Sequence, residues 1–150
     1  MRRIARYLMS LLLIMVAATV YAASEGSGGG GGWGPGGAYG RMYDPAKVQT
    51  VTGKVLAVEK FKPRKGMGTG IHLKLKTDQG VIPVHLGPSW YIDKLDTKIK
   101  KGDTVEVKGS RVTFNGKPAI IAAEVKKGDK VLKLRDDAGI PAWRGQRQGL

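Results

Sequence analysis

The sequence predicts an all-β domain with one short helix, and three patterns lead to this prediction. Residues 71–86 contain two runs of alternating apolar and polar residues, separated by the turn signal Thr77-Asp78-Gln79-Gly80. Residues 104–125 contain two further strand-like runs around Asn115-Gly116, a dipeptide typical of tight β-hairpins. Residues 48–61 form a long first strand, with Gly53 where a bulge or sharp bend is expected.

The remaining elements complete this order of strands. Residues 88–95 predict the one helix, with Ser89 as its N-cap and with Tyr91 and Leu95 one turn apart. A last short strand is predicted over residues 131–134. The predicted order is therefore three strands, a short helix, and two or three further strands.

The register of the first hairpin follows from its alternation. Pairing Lys76 with Val81 across the turn places the large apolar residues of both strands on one face. The predicted apolar pairs are Ile71 with Leu86, Leu73 with Val84, and Leu75 with Ile82. His72 and His85, the only two histidines of the chain, then lie opposite each other on the face away from the core, with Cβ atoms roughly 5 Å apart.

The N-terminus has the pattern of a secretory signal peptide. Arg2, Arg3 and Arg6 precede an apolar run from residue 8 to residue 20, and Val20-Tyr21-Ala22 supplies a cleavage site. We predict a signal peptide over residues 1–22 and hence a periplasmic or secreted protein with no stable membrane span after cleavage. An uncleaved membrane anchor is the alternative.

The predicted boundaries after the signal peptide follow from composition. Residues 23–42 are so rich in glycine that we expect a flexible linker, whose Trp33 and Tyr39 pack loosely or form a sticky interaction motif. Residues 43–141 form the predicted domain, and residues 142–150 form a basic flexible tail.

Charge and composition limit the functions that the protein can have. Removal of three arginines with the signal peptide reduces the 26 basic residues to 23 against 12 acidic ones, a net charge of +11 that favours an anionic partner. The absence of cysteine excludes disulfides, thiolate catalysis and Cys-based metal sites. The sequence also has neither a nucleophile-elbow serine motif nor a His-x-x-x-His metal motif, and we therefore expect a protein that is not an enzyme.

The order of elements resembles the OB-fold, a small Greek-key barrel with a helix between strands three and four. The resemblance is carried by Val51-Thr52-Gly53-Lys54-Val55, the hairpin of residues 71–86, the segment around Trp90, and Gly102-Asp103-Thr104-Val105-Glu106-Val107-Lys108-Gly109. These stretches look like small exported bacterial OB-fold proteins, some of which are named generically as DNA-binding. The resemblance implies a binding module, although the fold hosts oligonucleotide, oligosaccharide, metal and protein binders alike.

The loop of residues 60–70 is the densest candidate site. It combines four cations with three glycines, so side chains and backbone amides are both able to approach phosphates or sulfates. Lys74 and Lys76 extend the positive surface along the second strand. The predicted ligand-binding residues are Lys60, Lys62, Arg64, Lys65, Lys74 and Lys76, and the alternative is a solvated basic loop. Phe61, Tyr91 and Phe114 are candidates for base stacking, with their orientation left open.

The histidine pair predicts an alternative function. Two facing neutral imidazoles are able to hold copper, nickel or zinc, and Met67 in the nearby loop suits Cu(I) together with histidine. Periplasmic copper and silver chaperones of the OB-fold use His, Met and Trp in this way, but this sequence lacks their closely spaced methionine pair around a tryptophan. Unliganded surface histidines are the simpler interpretation.

The sequence thus favours an exported, non-enzymatic OB-fold binding module without a cofactor. Its expected partner is an anionic polymer such as single-stranded nucleic acid. A metal-binding accessory protein centred on His72 and His85 is the second hypothesis. A structural protein of the cell envelope, with another envelope protein as its partner, is the third.

Overall fold

The computed structural model describes residues 32–145 of the chain. The predicted signal peptide, the first part of the predicted linker and residues 146–150 lie outside the described residues. The elements are the strands β1 (Val48–Phe61), β2 (Gly70–Thr77), β3 (Gly80–Pro88), β4 (Thr104–Phe114), β5 (Lys117–Lys127) and β6 (Lys130–Lys133), the helix α1 (Ser89–Ile92), and two 3₁₀ turns at Gly40–Met42 and Pro45–Lys47.

The six strands form one sheet that closes on itself. Their order is β3-β2-β1-β4-β5-β6, and all neighbours in this order are antiparallel. A parallel pairing of β3 with β5, at Val84 with Ile120 and His85 with Ile121, closes the barrel. This closure and the helix between β3 and β4 define the Greek-key topology of the OB-fold, and they confirm the predicted fold class.

Strand β1 takes part in both halves of the barrel because it bends. Its first half pairs with β4 and its second half with β2, and the change of partner occurs at Lys54. A Cβ at Gly53 would lie 2.4 Å from the carbonyl oxygen of Lys76, so the backbones approach here as only glycine permits. A register shift between Val55 and Ala57 adds to the bend.

The predicted hairpin register holds over most of its length. Leu73 pairs with Val84, and His72 pairs with His85. The expected pairing of Ile71 with Leu86 is wrong, because an irregularity between Ile71 and His72 shifts Ile71 to Gly87. The second hairpin turns at Asn115 and Gly116, both with positive φ, as its sequence predicts.

The helix differs from its prediction. It spans four residues, Ser89–Ile92, and its N-cap is Pro88, with no side-chain capping bond. The predicted capping role of Ser89 is therefore wrong, since Ser89 is the first helical residue. Trp90 and Tyr91 are half-buried and pack against the core from this end of the barrel.

The sheet is covered on its outer face as well as filled inside. Strand β5 has five consecutive buried residues from Ala119 to Ala123, whereas a strand with one solvated face would alternate. Trp33 and Tyr39, each 2% exposed, and Trp143, 1% exposed, belong to the same buried cluster. The expectation that Trp33 and Tyr39 pack loosely is therefore wrong, and Trp143 is a core residue within the predicted flexible tail.

We call residues 32–47 the strap, because they cross the outside of the barrel. The contacts of Trp33, Tyr39 and Tyr43 offset the entropy cost that the glycine content of this segment implies. Within residues 32–145 we find no helix with the length and apolarity needed to cross a lipid bilayer.

Candidate anion-binding surface and the buried histidine pair

The loop between β1 and β2, residues 62–69, exposes three of the predicted cations. Lys62, Arg64 and Lys65 are exposed, while Pro63 and Met67 are buried and anchor the loop. The Met67 amide donates to the Arg64 carbonyl at 3.1 Å and closes a turn around the exposed cations. The loop thus presents its charges from a fixed backbone.

The strap packs against this loop. A Cβ on Gly32 would lie 2.6 Å from Cγ of Met67, and the indole Nε1 of Trp33 donates to the Gly68 carbonyl at 2.9 Å. The guanidinium of Arg64 lies 3.7 Å from Sδ of Met42. The exposed Arg41, next to Met42 in the chain, therefore adds a fourth cation to the surface formed by Lys62, Arg64 and Lys65, which we call the loop rim. The sequence prediction missed Arg41 because it assigned residues 23–42 to a flexible linker.

The cations of this loop are not neutralised by neighbouring acids. Within residues 32–145, no ion pair involves Lys60, Lys62, Arg64 or Lys65. By the alternation of β1, Lys60 lies on the face opposite Glu59 and Phe61. The loop charges are therefore free to meet an anion from solution.

The predicted extension of the surface along β2 is interrupted. Lys74 lies 3.4 Å from a carboxylate oxygen of Glu59, whose other oxygen is 3.0 Å from Nε2 of His72. Lys76 is the register partner of Lys54, about 20 Å along the strand from Gly70. The structure thus separates Lys74 and Lys76 from the loop cations, rather than joining all six residues into one surface.

The candidate stacking aromatics are half-buried and contact other rings of the protein. Phe61 stacks on His72 with ring centroids 4.6 Å apart, and Phe114 meets His85 edge-on at 4.9 Å. Tyr91 packs on Trp143 with centroids 5.3 Å apart. The stacked His72 ring occupies one face of Phe61, and the partial burial of all three side chains limits the ring surface left for stacking bases.

The histidine pair occupies the outer face of the hairpin, but the strap covers it. The ring centroids of His72 and His85 are 6.0 Å apart, so the predicted juxtaposition is confirmed. His85 is 1% exposed, and its Nδ1 is 2.8 Å from the hydroxyl oxygen of Tyr39. The interpretation of both residues as surface histidines is therefore wrong for His85.

Burial determines the protonation of His85. Desolvation, with smaller contributions from the charges of His72 and Arg135, lowers the pKa of His85 from 6.5 to about 3. Burial likewise raises the pKa of Tyr39 above its ordinary value of 10. Neutral imidazole and neutral phenol thus form a hydrogen bond in the covered face.

A buried guanidinium supports this outer layer. Arg135 donates to the carbonyls of Leu86 and Ala122, and it lies 4.8 Å from the ring centroid of Trp143. Burial lowers the pKa of Arg135, while the carbonyls and the indole face provide partners for its charge. Arg135 thereby joins the C-terminal segment to β3 and β5.

Two strand glycines allow the indoles to lie against the sheet. A Cβ on Gly70 would lie 2.1 Å from the ring of Trp33, and a Cβ on Gly87 would lie 2.7 Å from the ring of Trp143. The indole Nε1 of Trp143 donates to the backbone oxygen of Trp33 at 3.0 Å and links both covering segments. OB-folds that bind oligonucleotides use the outer face around strands two and three, and here the chain covers that face itself.

The metal ligands predicted for the histidine hypothesis have other partners. Nε2 of His72 contacts Glu59, Nδ1 of His85 contacts Tyr39, and Met67 is buried beside Gly32. Among the described side chains, no group of three or more His, Cys, Asp or Glu residues is arranged to hold a metal ion. A metal at this pair would have to use the other nitrogen of each ring.

Comparison with protein families gives the decisive match for this chain. The model of the MamS/MamX magnetosome protein family matches residues 47–132. The chain belongs to the MamS/MamX magnetosome protein family.

In this MamS/MamX family member, the matched range contains strands β1 to β5, most of β6 and the basic loop. Trp33, Tyr39 and Trp143, which cover the outer face, lie outside the matched range. A search among curated proteins found no match.

One solved structure with similarity is the second OB-fold domain of replication protein A from Methanococcus maripaludis. It is 28% identical, the match covers 56% of this chain and 86% of that domain, and the TM-score is 0.39. The OB-fold assignment of the MamS/MamX family member rests on its own strand order and on the β3–β5 closure.

Proposed function

We propose that this MamS/MamX family member is an exported, non-enzymatic binding module that contacts a polyanion, such as nucleic acid, through the loop between β1 and β2. The observation that carries the proposal is the set of exposed loop cations Lys62, Arg64 and Lys65, which form no ion pair within residues 32–145. Export is proposed from the predicted signal peptide over residues 1–22.

The proposed contact is electrostatic and independent of base sequence. Lysine and arginine neutralise phosphates and release the counterions that the polymer had condensed, which supplies the free energy of binding. Gly66, with φ of +86°, has open space around it, so a phosphate is able to approach the loop backbone. Because Phe61 and Phe114 are half-buried and pack against the histidines, we expect little base stacking, and single-stranded DNA and heparin should bind alike.

The test is the triple variant Lys62→Ala, Arg64→Ala and Lys65→Ala in the purified full chain. We expect weaker binding to single-stranded DNA and to heparin. The slope of log K against log salt for single-stranded DNA should flatten by about two, since three phosphate contacts are lost at about 0.7 each.

A matched control removes the same charge elsewhere. Lys100 and Lys101 are exposed lysines before β4, in a segment that bonds to Val55, about 20 Å along β1 from the loop, and Lys130 is the exposed first residue of β6. Alanine at these three positions should change the salt slope much less. Equal slopes for the two triple variants would show that net charge, rather than the loop, determines binding.

The metal hypothesis keeps one supporting observation, the adjacency of the His72 and His85 rings at 6.0 Å between centroids. The burial of His85 under Tyr39 opposes access by an ion. The proposed function is therefore the polyanion contact, and metal binding stays a prediction for titration with Cu(II), Ni(II) or Zn(II).

A further inference from the structure

A shallow cleft without acidic residues lies beside the turn between β4 and β5. Lys47, Gln49, Arg111, Thr113 and Gly116 line it, together with apolar residues. The cleft thus combines two cations with an amide and a hydroxyl, which is the donor chemistry that binds phosphate or sulfate.

The register of the sheet places the two cations side by side. Val48, the first residue of β1, pairs with Ser110 of β4, so Lys47 and Arg111 each adjoin this terminal pair, with Lys47 at the end of the 3₁₀ turn before β1. Both cations line the same cleft, and like charges at close range repel each other. Within residues 32–145 neither side chain forms an ion pair, so a bound anion would relieve this repulsion.

The hydroxyl and the cation of β4 share one face. Arg111 and Thr113 are exposed on either side of the buried Val112, and two residues of an extended strand span about 7 Å. Both therefore project towards the cleft, and a ligand with successive anionic groups is able to contact both.

Lys47 is held in place by its own segment. The backbone amide of Asp44 donates to the buried hydroxyl of Ser110 at 2.9 Å, which attaches the strap to β4. The side chain of Asp44 accepts from the Ala46 amide at 2.9 Å and caps the 3₁₀ turn that ends at Lys47. The backbone beside the cleft is thus fixed before any ligand binds.

We infer that this cleft binds a phosphate or sulfate group and forms a second contact point for the polyanion of the proposed function, on which the inference rests. The strap connects it with the loop rim, since Met42 contacts Arg64 there. Lys47 follows Arg41 by six positions, so the two points are at most about 20 Å apart along the strap. A single strand of about six stacked nucleotides spans this distance.

A length series tests the two-point contact. Binding of dT4 and dT12 is measured for the full chain and for the double variant Lys47→Ala with Arg111→Ala. We expect dT12 to bind the unmodified chain at least tenfold more tightly than dT4, because the second contact becomes intramolecular. The double variant should lose most of this difference, while the control Lys100→Ala with Lys101→Ala should keep it. Equal length dependence in both variants would overturn the inference.

A titration with inorganic phosphate tests anion binding at the cleft independently of any polymer. In an NMR titration with phosphate, we expect saturable shifts of the Arg111 and Thr113 amides that disappear in the double variant. Shifts that do not saturate, or that persist without Lys47 and Arg111, count against the cleft. Because this titration does not need the loop, failure of the loop triple variant to weaken DNA binding would overturn the proposed function and leave the cleft result standing.

Discussion

The buried His85 should make the protein lose stability in mild acid. Its pKa is about 3 in the folded protein and 6.5 in the unfolded chain, so the unfolded state binds one more proton between these values. For a histidine with a lowered pKa, stability is complete above pH 6.5 and decreases as the pH falls towards 3. The difference of 3.5 pH units corresponds to about 5 kcal/mol in total, and lowering the pH from 7 to 5 should cost about 2 kcal/mol.

Between pH 7 and pH 5, the effect of His85 on stability can be measured separately from the effects of the carboxylates. The His72 hydrogen bond lowers the pKa of Glu59, and the backbone amide of Lys100 lowers the pKa of Asp103, from ordinary values of 4.5 and 3.8. The stability that these carboxylates contribute is therefore lost only below pH 4.5.

Urea unfolding at pH 7 and pH 5 measures the effect. The unmodified chain should lose about 2 kcal/mol of unfolding free energy between these conditions. His85→Gln should be less stable at pH 7, because Tyr39 loses its partner, but it should lack most of the pH dependence. His72→Gln is the matched control and should retain most of the dependence, because burial is the largest cause of the lowered pKa of His85. Equal stability of the unmodified chain at both pH values would refute the reasoning that His85 is buried in its neutral form.

Two further predictions concern the covering segments, both measured by urea unfolding at pH 7. Trp33→Ala should destabilise the protein by about 3–5 kcal/mol, since this indole is 2% exposed and donates a hydrogen bond to Gly68. A loss of unfolding free energy below about 1 kcal/mol would mean that the strap is not part of the folded core. Gly87→Ala should destabilise the protein by about 1–3 kcal/mol, because the new methyl group would clash with the Trp143 ring. Gly36→Ala is the control and should be nearly neutral, because the space around Gly36 is open. Equal effects of the two substitutions would contradict the packing of Trp143 on β3.

The barrel could be predicted because its signals are local. Alternation along β2 and β3 and the Asn115-Gly116 turn specify strands and register without knowledge of the rest of the chain. The bulge beside Ile71 could not be predicted, since it follows from the curvature of the closed barrel.

The strap could not be predicted from its own composition. Glycine-rich sequence implies a high entropy cost, and the compensating contacts come from residues far along the chain, such as His85 and Trp143. One signal was present in the sequence. Gly70 and Gly87 lie at neighbouring positions at the open end of the hairpin, where Gly70 pairs with Pro88 and Gly87 pairs with Ile71. Glycines within strands indicate that another group approaches closely.

The basic loop was predicted as a set of charges, but its surroundings depended on tertiary structure. Sequence identified Lys62, Arg64 and Lys65, whereas the pairing of Lys74 with Glu59 requires the register between β1 and β2. The contribution of Arg41 requires the strap to be folded. Charge patterns along a sequence therefore indicate candidates, and the sheet register decides which of them remain unpaired.

The covered face explains why a polyanion contact of this OB-fold would lie at its rim. In oligonucleotide-binding OB-folds, ligands occupy the outer face around strands two and three. In this chain Trp33, Tyr39 and Trp143 occupy that position, and a base would have to displace aromatics that are each at most 2% exposed. Such displacement would expose His85 and Arg135 and would cost several kcal/mol. Cations at the edge of the strap would bind an anionic polymer without displacing these aromatics. One domain is therefore able to combine an electrostatic contact with an outer face that its own chain covers.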